Sequence, residues 1–358
     1  MRQHLQSIEN YRGFAIICIV AVHCFHYGMS TTSGPWLAFQ SFFYGSTSLF
    51  VFISGYMFHH VFYQRGTKTT DFYLNKFKAV VLPYLFLGSL ATMLLFATKT
   101  GYFEPGVEID SRMLFSSDDS VFATAVKYIL TGRMLTAYWY IPFAVLLFAS
   151  APLHTKFLRL KAYQQVSILV LLCLASLFIH RSYENTNPLQ MFIYFTPIYL
   201  IGCSVSQHRS SLLVNAKSKL LILGIIVLCL CIYEASVGHR GNYIKEMLVY
   251  GGVDTMFLQK LCLVIALFYF FEAFQFKSHL LSLLAKTSFG VFFIHPWVLT
   301  VLKRTPLYQY AETQDTDLLL FLLTLGFTLR EKTIFPIHYW ILKKRSPQRA
   351  SFLLLTAG

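Results

Sequence analysis

The sequence predicts an all-α integral membrane protein, a bundle of about ten transmembrane helices with both termini in the cytoplasm. Three observations carry that expectation. Of 358 residues, 56% are hydrophobic and 13% charged, with a mean hydropathy of +0.54, whereas about a quarter of an ordinary soluble chain is charged. Apolar runs long enough to cross a hydrocarbon core of about 30 Å recur along the length. Lysine and arginine collect in alternate loops between those runs, the pattern of cytoplasmic loops. The net charge of +14 and the pI near 9.4 then reflect topology, because the bases are scattered between apolar runs and form no patch for nucleic acid.

The first apolar run, 12–29, sits where a signal peptide would. It holds histidines, lacks a convincing small-x-small cleavage site and is followed by further runs, so it is expected to stay in the mature protein. Runs follow at 39–62, 79–98, 137–153, 163–180, 190–206, 219–237, 255–274 and 286–302. The long connection 99–136 carries five acids, Glu104, Glu108, Asp110, Asp118 and Asp119, and is expected outside; functional loops are often the long ones. The last run, 316–341, is interrupted by Arg330, Glu331 and Lys332. Either one helix buries that ion pair against the bundle, or the membrane exit lies near Arg330. The basic cluster Lys343, Lys344 and Arg345 favours a single span, closed by a cytoplasmic anchor. Residues 1–345 thus form one transmembrane domain and 346–358 a cytoplasmic tail. The seven cysteines all fall inside apolar runs with no zinc-like grouping, so they are read as small packing residues and no metal is expected.

An ionisable side chain inside a span is costly and suggests function. On a helix over the first run, Arg12 and His23 lie nearly three turns apart, on one face and separated by about 16 Å along the axis. One stripe would carry a cation at the membrane surface and an imidazole deep inside. His26 follows one turn further on nearly the same face. His295, in the run Ser288-Phe-Gly-Val-Phe-Phe-Ile-His295-Pro296, reaches a similar depth from a distant part of the chain. A neutral imidazole suits general-base work, although a histidine in a span also serves to bond a neighbouring helix.

Three further stretches have two readings each. Ser54-Gly55-Tyr56 provides either close helix packing through small residues or a hydroxyl near a reaction. Lys76 and Lys78 ahead of Pro83-Tyr84 form either a positive-inside anchor or a clamp for the phosphates of a cytoplasmic cofactor. Trp139 and Tyr140 make either an interface belt or a stacking surface for a sugar ring.

Together these pieces resemble the acyltransferase 3 family of integral membrane proteins over most of the chain. The resemblance rests on Arg12, Gly13 and His23, on Ser54-Gly55-Tyr56, on the basic approach to Pro83-Tyr84, on Trp139-Tyr140 and on Ser288 to His295-Pro296, five motifs in order. It implies a bacterial inner-membrane enzyme that moves an acyl group, most often acetyl, from cytoplasmic acyl-CoA to hydroxyls of envelope polysaccharide or lipid-linked glycan. It also implies that His23 is catalytic and that Arg12 assists donor binding. The chain departs from the family's pair of arginines three apart before Pro-Tyr, offering Lys76 and then Ala79 with Lys78 between. Lysine lacks the bidentate fork that arginine gives to phosphate.

The expected mechanism seats the phosphates of acetyl-CoA near Arg12, Lys76 and Lys78, with the thioester reaching His23. His23 acts as base or as an acyl relay, with the base favoured. His295 or Ser54 orients the reactants, while Trp139, Tyr140 and His26 receive the glycan. Membrane lipids surround the bundle and no nucleic acid is expected. The rival from another class is an exporter of a lipid-linked sugar or small molecule with histidines relaying protons; the inverted repeats common in transporters are not visible in the sequence.

Overall fold

The computed structural model describes residues 5–29, 34–312 and 317–330. Hydrocarbon cannot satisfy a backbone N–H or C=O, so the apolar runs fold as helices that bond internally. The first forms α1 (Gln6–Cys24). The second is built from α2 (Gly34–Phe43), α3 (Thr47–Met57) and a π-helical continuation over Phe58–Tyr63. The third begins ten residues before its apolar stretch as α4 (Thr69–Lys76), passes through a π-helical turn at Phe77–Val81 and runs on as α5 (Leu82–Thr98).

The connection 99–136 is partly ordered as a helix. It contains α6 (Val121–Thr131), whose first turn is capped by the Ser120 hydroxyl accepting from the Ala123 N–H. The fourth span is broken into α7 (Tyr140–Ala149) and α8 (Ala151–Leu158), bent by 56° where Pro152 starts the second piece. Then come α9 (Ala162–Ile179), α10 (Pro188–Gln207), the short α11 (Arg209–Leu212), α12 (Ala216–Ser236), α13 (Thr255–Ala273), α14 (His279–Leu302), α15 (Pro306–Glu312) and α16 (Leu318–Leu329).

Among the described residues, seven helical segments are long and apolar enough to cross a membrane, and eight if the bent pair α7–α8 is one span. α1 is outside that set, because Glu9, Asn10 and Arg12 dilute it, and α16 is short at 12 residues. α16 stops at Leu329 with Arg330 extended; the rest of the span expected over 316–341, and the tail 346–358, lie outside the described residues. The all-α expectation has one local exception. β1 (Arg181–Ser182) pairs in parallel with β2 (Ile244–Lys245), joining the end of α9 to the long segment after α12.

Glycines set the closest helix contacts. α1 packs on α14, where a Cβ on Gly13 would meet Leu281 O at 2.2 Å. α3 packs on α10, where a Cβ on Gly55 would meet Tyr199 O at 1.9 Å and one on Gly202 would meet Phe52 O at 2.1 Å. The packing reading of Ser54-Gly55-Tyr56 therefore holds for Gly55. Outward faces of α9 and α12 expose Val166, Val170, Leu171, Leu221, Ile222 and Leu228, side chains that favour lipid over water. At the amino-terminal end of α1, Ser7 donates to Glu272 at 2.8 Å and Arg209 closes a 2.6 Å ion pair on the same carboxylate.

Candidate active site

α1 is helical from Gln6 to Cys24, so Arg12 and His23 occupy one continuous helix as the spacing predicts. Their surroundings differ from the expected stripe. Arg12 is buried, 6% exposed, instead of lying at the water, and its Nε donates to the Ser288 hydroxyl at 2.7 Å. Ser288 belongs to α14, and its own hydroxyl donates to Ala285 O at 2.9 Å. α1 and α14 thus meet through this guanidinium.

His23 and His295 meet further along the same helix pair. Their ring centroids are 5.3 Å apart, and the planes are tilted by 35°. His295 is fully buried and its Nδ1 lies 3.0 Å from Val291 O. A carbonyl only accepts, so Nδ1 carries the proton and Nε2 presents a lone pair; Nε2 has no hydrogen-bond partner among the described residues. The Nδ1 of His23 lies 3.1 Å from the Thr136 hydroxyl, which precedes α7.

His23 lines two spaces. One is a cavity of about 520 Å³ beyond the carboxyl end of α1, walled also by His26, Thr136, Trp139, Arg181 and Lys303. The other is a narrow crevice of about 30 Å³ walled by Ser54, Val80, Trp139, Tyr140 and Phe148. The Lys76 Nζ lies 4.6 Å from the centre of the Phe148 ring and 5.6 Å from that of Phe72. Lys76 is buried, so it is not an anchor at the water.

The structure therefore brings His23, Ser54, Trp139 and Tyr140 around one crevice, with His295 beside His23 and Lys76 against a crevice wall. His26 joins the larger cavity from the turn after α1, exposed and outside the helix that was to carry it. Lys78 is exposed, two positions past the buried Lys76, and is not brought to this group. Trp139 and Tyr140 wall the crevice and their neighbour Tyr138 is fully buried, so this stretch is not an interface belt.

Several residues of the site escaped the sequence reading. Thr136 sat inside a loop, and its role depends on the backbone of Ala137, which turns at φ 67°. Arg181 is 4% exposed, with its guanidinium 4.6 Å from the centre of Trp139. A base directly after the apolar run 163–180, at an end where few bases occur, was the available signal. Two ties fix the loops around it. Arg133 pairs with Glu184 at 3.0 Å, and Tyr183 donates to Asp110 at 2.9 Å. Hydrogen bonds from Arg112 hold the Asp110 carboxyl well below the usual carboxylate range.

A family model described as an acyltransferase domain matches residues 5–329. No curated protein and no solved structure matches the chain.

Proposed function

The chain belongs to the acyltransferase 3 family, and from this membership as a membrane acyltransferase we propose that it acylates a hydroxyl of an envelope polysaccharide or lipid-linked glycan, with acetyl-CoA as donor, in a bacterial inner membrane. The observation that carries this reading is the position of His23. One imidazole is reached from a roomy cavity on one side and from a narrow crevice on the other, as a transfer between two dissimilar substrates requires.

With both termini cytoplasmic, the crevice faces the donor side. Arg12 and Lys76 are the buried cations on that side, and they would favour the phosphates of CoA. About 30 Å³ holds little more than one water. The pantetheine arm therefore enters only when α3, α7 and α14, which wall the crevice, move apart.

In the proposed step, His23 takes the tautomer whose Nδ1–H donates to the Thr136 hydroxyl 3.1 Å away, which leaves Nε2 as the base. The acceptor oxygen attacks the thioester carbonyl carbon as its proton passes to His23. The carbon–sulfur bond breaks, and the proton moves to the departing CoA sulfur. His295, with its lone pair beside His23, orients the reactants together with Ser54. Trp139, Tyr140 and His26 border the path of the glycan. Family membership favours transfer over export.

The test is release of CoA thiol and acylation of an acceptor by purified protein in detergent. His23→Ala is expected to abolish transfer while the protein remains folded; retained transfer would remove His23 from its role. Mass spectrometry of envelope glycans from cells with and without the protein then identifies the modified position.

A further inference from the structure

The larger cavity has a charge character that acyl transfer by itself does not need. Arg133, Arg181 and Lys303 line it, and among the described residues no aspartate or glutamate does. Arg181 is the innermost of the three and is 4% exposed. Trp139 and Phe195 lie against its guanidinium at 4.6 and 5.9 Å. Its Nη2 donates to Asn185 at 3.0 Å, while its Nε–H has no hydrogen-bond partner among the described residues.

A buried donor left without an acceptor destabilises a fold, and sites that tolerate one need an explanation. The neighbouring carboxylates are already engaged. Glu184 pairs with Arg133 at 3.0 Å. Asp254, near enough to influence the Arg181 charge, accepts from Tyr194 at 2.9 Å and from the Phe257 N–H at 2.7 Å. The backbone around Arg181 is also constrained. His180, Glu184 and Asn185 adopt φ of 58°, 48° and 56°, a left-handed region that such residues leave unless the surroundings hold them, and one that clusters at ligand clamps.

We propose that the acceptor saccharide is anionic, with an oxyanion seated on the guanidinium of Arg181 and with Arg133 and Lys303 at the rim, while the hydroxyl to be acylated reaches His23. This rests on the larger cavity being the acceptor site of the transfer proposed above. A planar guanidinium takes a carboxylate or a phosphate with the same two-pronged geometry. The oxyanion can therefore be a uronate in the glycan or a phosphate attached to it.

The experiment is binding to the purified full-length protein, by titration calorimetry, of trigalacturonic acid, of its fully methyl-esterified neutral form and of glucose 1-phosphate. At least one of the two anionic probes is expected to bind about tenfold or more tighter than the neutral ester, the worth of one good charged hydrogen bond. Whichever anion binds tighter assigns the source of the charge. In Arg181→Gln the preference for the anion is expected to vanish with binding of the ester unchanged. Should that variant not fold, Lys303→Gln on the exposed rim is expected to cut the anion's affinity several-fold and leave the ester alone. Equal binding of anion and ester by the wild type, no binding of any probe, or a preference that survives in the tested variant overturns the proposal. CoA release by the wild type is followed in parallel. Release without any anion preference sinks the anionic acceptor alone, whereas an anion preference without release sinks the transfer reading, and with it the acceptor assignment, and leaves only an anion-binding cavity.

Discussion

The rings of His23 and His295 lie 5.3 Å apart, tilted by 35°, although they come from opposite ends of the chain. α1 and α14 pack closely because Gly13 lets the Leu281 backbone approach, and the contact between the two imidazoles follows from that packing. Replacing His23 with Ala is expected to lower kcat by about 10²–10⁴-fold, the range for losing a general base. His295→Gln and Thr136→Val are expected to cost less, about tenfold each, and to shift the pH profile of kcat. Steady-state CoA release across pH reads all three. An unchanged pH profile in both milder variants would leave His23 without the partners assigned to it.

Lys76 and Lys78 are two residues apart, yet one is buried against Phe148 and the other exposed. Lys76→Met keeps the apolar stem and removes the charge. It is expected to raise the KM for acetyl-CoA about tenfold, as loss of one charged contact does, with Lys78→Met close to wild type. Equal effects of the two substitutions would argue for a diffuse surface attraction in place of a buried clamp.

Gly55 and Gly224 make a matched pair for thermal unfolding in detergent. A Cβ at Gly55 would strike the Tyr199 carbonyl, whereas a Cβ at Gly224 meets nothing within 4 Å. Gly55→Ala is expected to destabilise by about 1–3 kcal/mol through overpacking. Gly224→Ala is expected to stabilise by up to about 1 kcal/mol through helix propensity.

Ala137 holds φ at 67° between Thr136 and Trp139. Ala137→Gly relieves a left-handed conformation that costs an alanine about 1–2 kcal/mol. It also frees the backbone that aims Thr136 at His23. A raised melting temperature with a lowered kcat is the expected pair of results; a gain in both would show that the turn has no positioning role.

His180 precedes Arg181, is buried, and bonds Gly252 O through Nε2 at 3.0 Å. Burial lowers its pKa, with the nearby Lys245 acting in the same direction. A histidine that is hard to protonate when folded makes no difference above its unfolded pKa of about 6.5. Below it, the opened state gains protons that the closed state refuses, so the segment loses stability as pH falls. Measured relative to the intrinsic amide exchange rate at each pH, the protection of residues 180–185 is expected to fall below about pH 6.5 in the wild type and to show no such step in His180→Asn. This readout is independent of any titration of His23 during turnover.

The sequence by itself determined the membrane class and the mainly helical build, and it nominated residues for chemistry. Composition and the length of apolar runs are properties of the solvent the chain must meet, and lipid permits few backbone solutions. The same reasoning nominated Arg12, His23, Ser54, Trp139, Tyr140 and His295, because ionisable, hydroxyl and amphipathic aromatic side chains stand out in apolar runs. It did not find Thr136 or Arg181, which lie in connecting segments where polar residues are ordinary. Nor did it separate the buried Lys76 from the exposed Lys78, or show that α7 and α8 bend at Pro152. Those outcomes depend on which faces of distant helices come together, and only packing in three dimensions decides that. The meeting of α1 with α14 and of α3 with α10 is set by backbone approach at single glycines, and that approach gives His23 both a partner ring and a cavity.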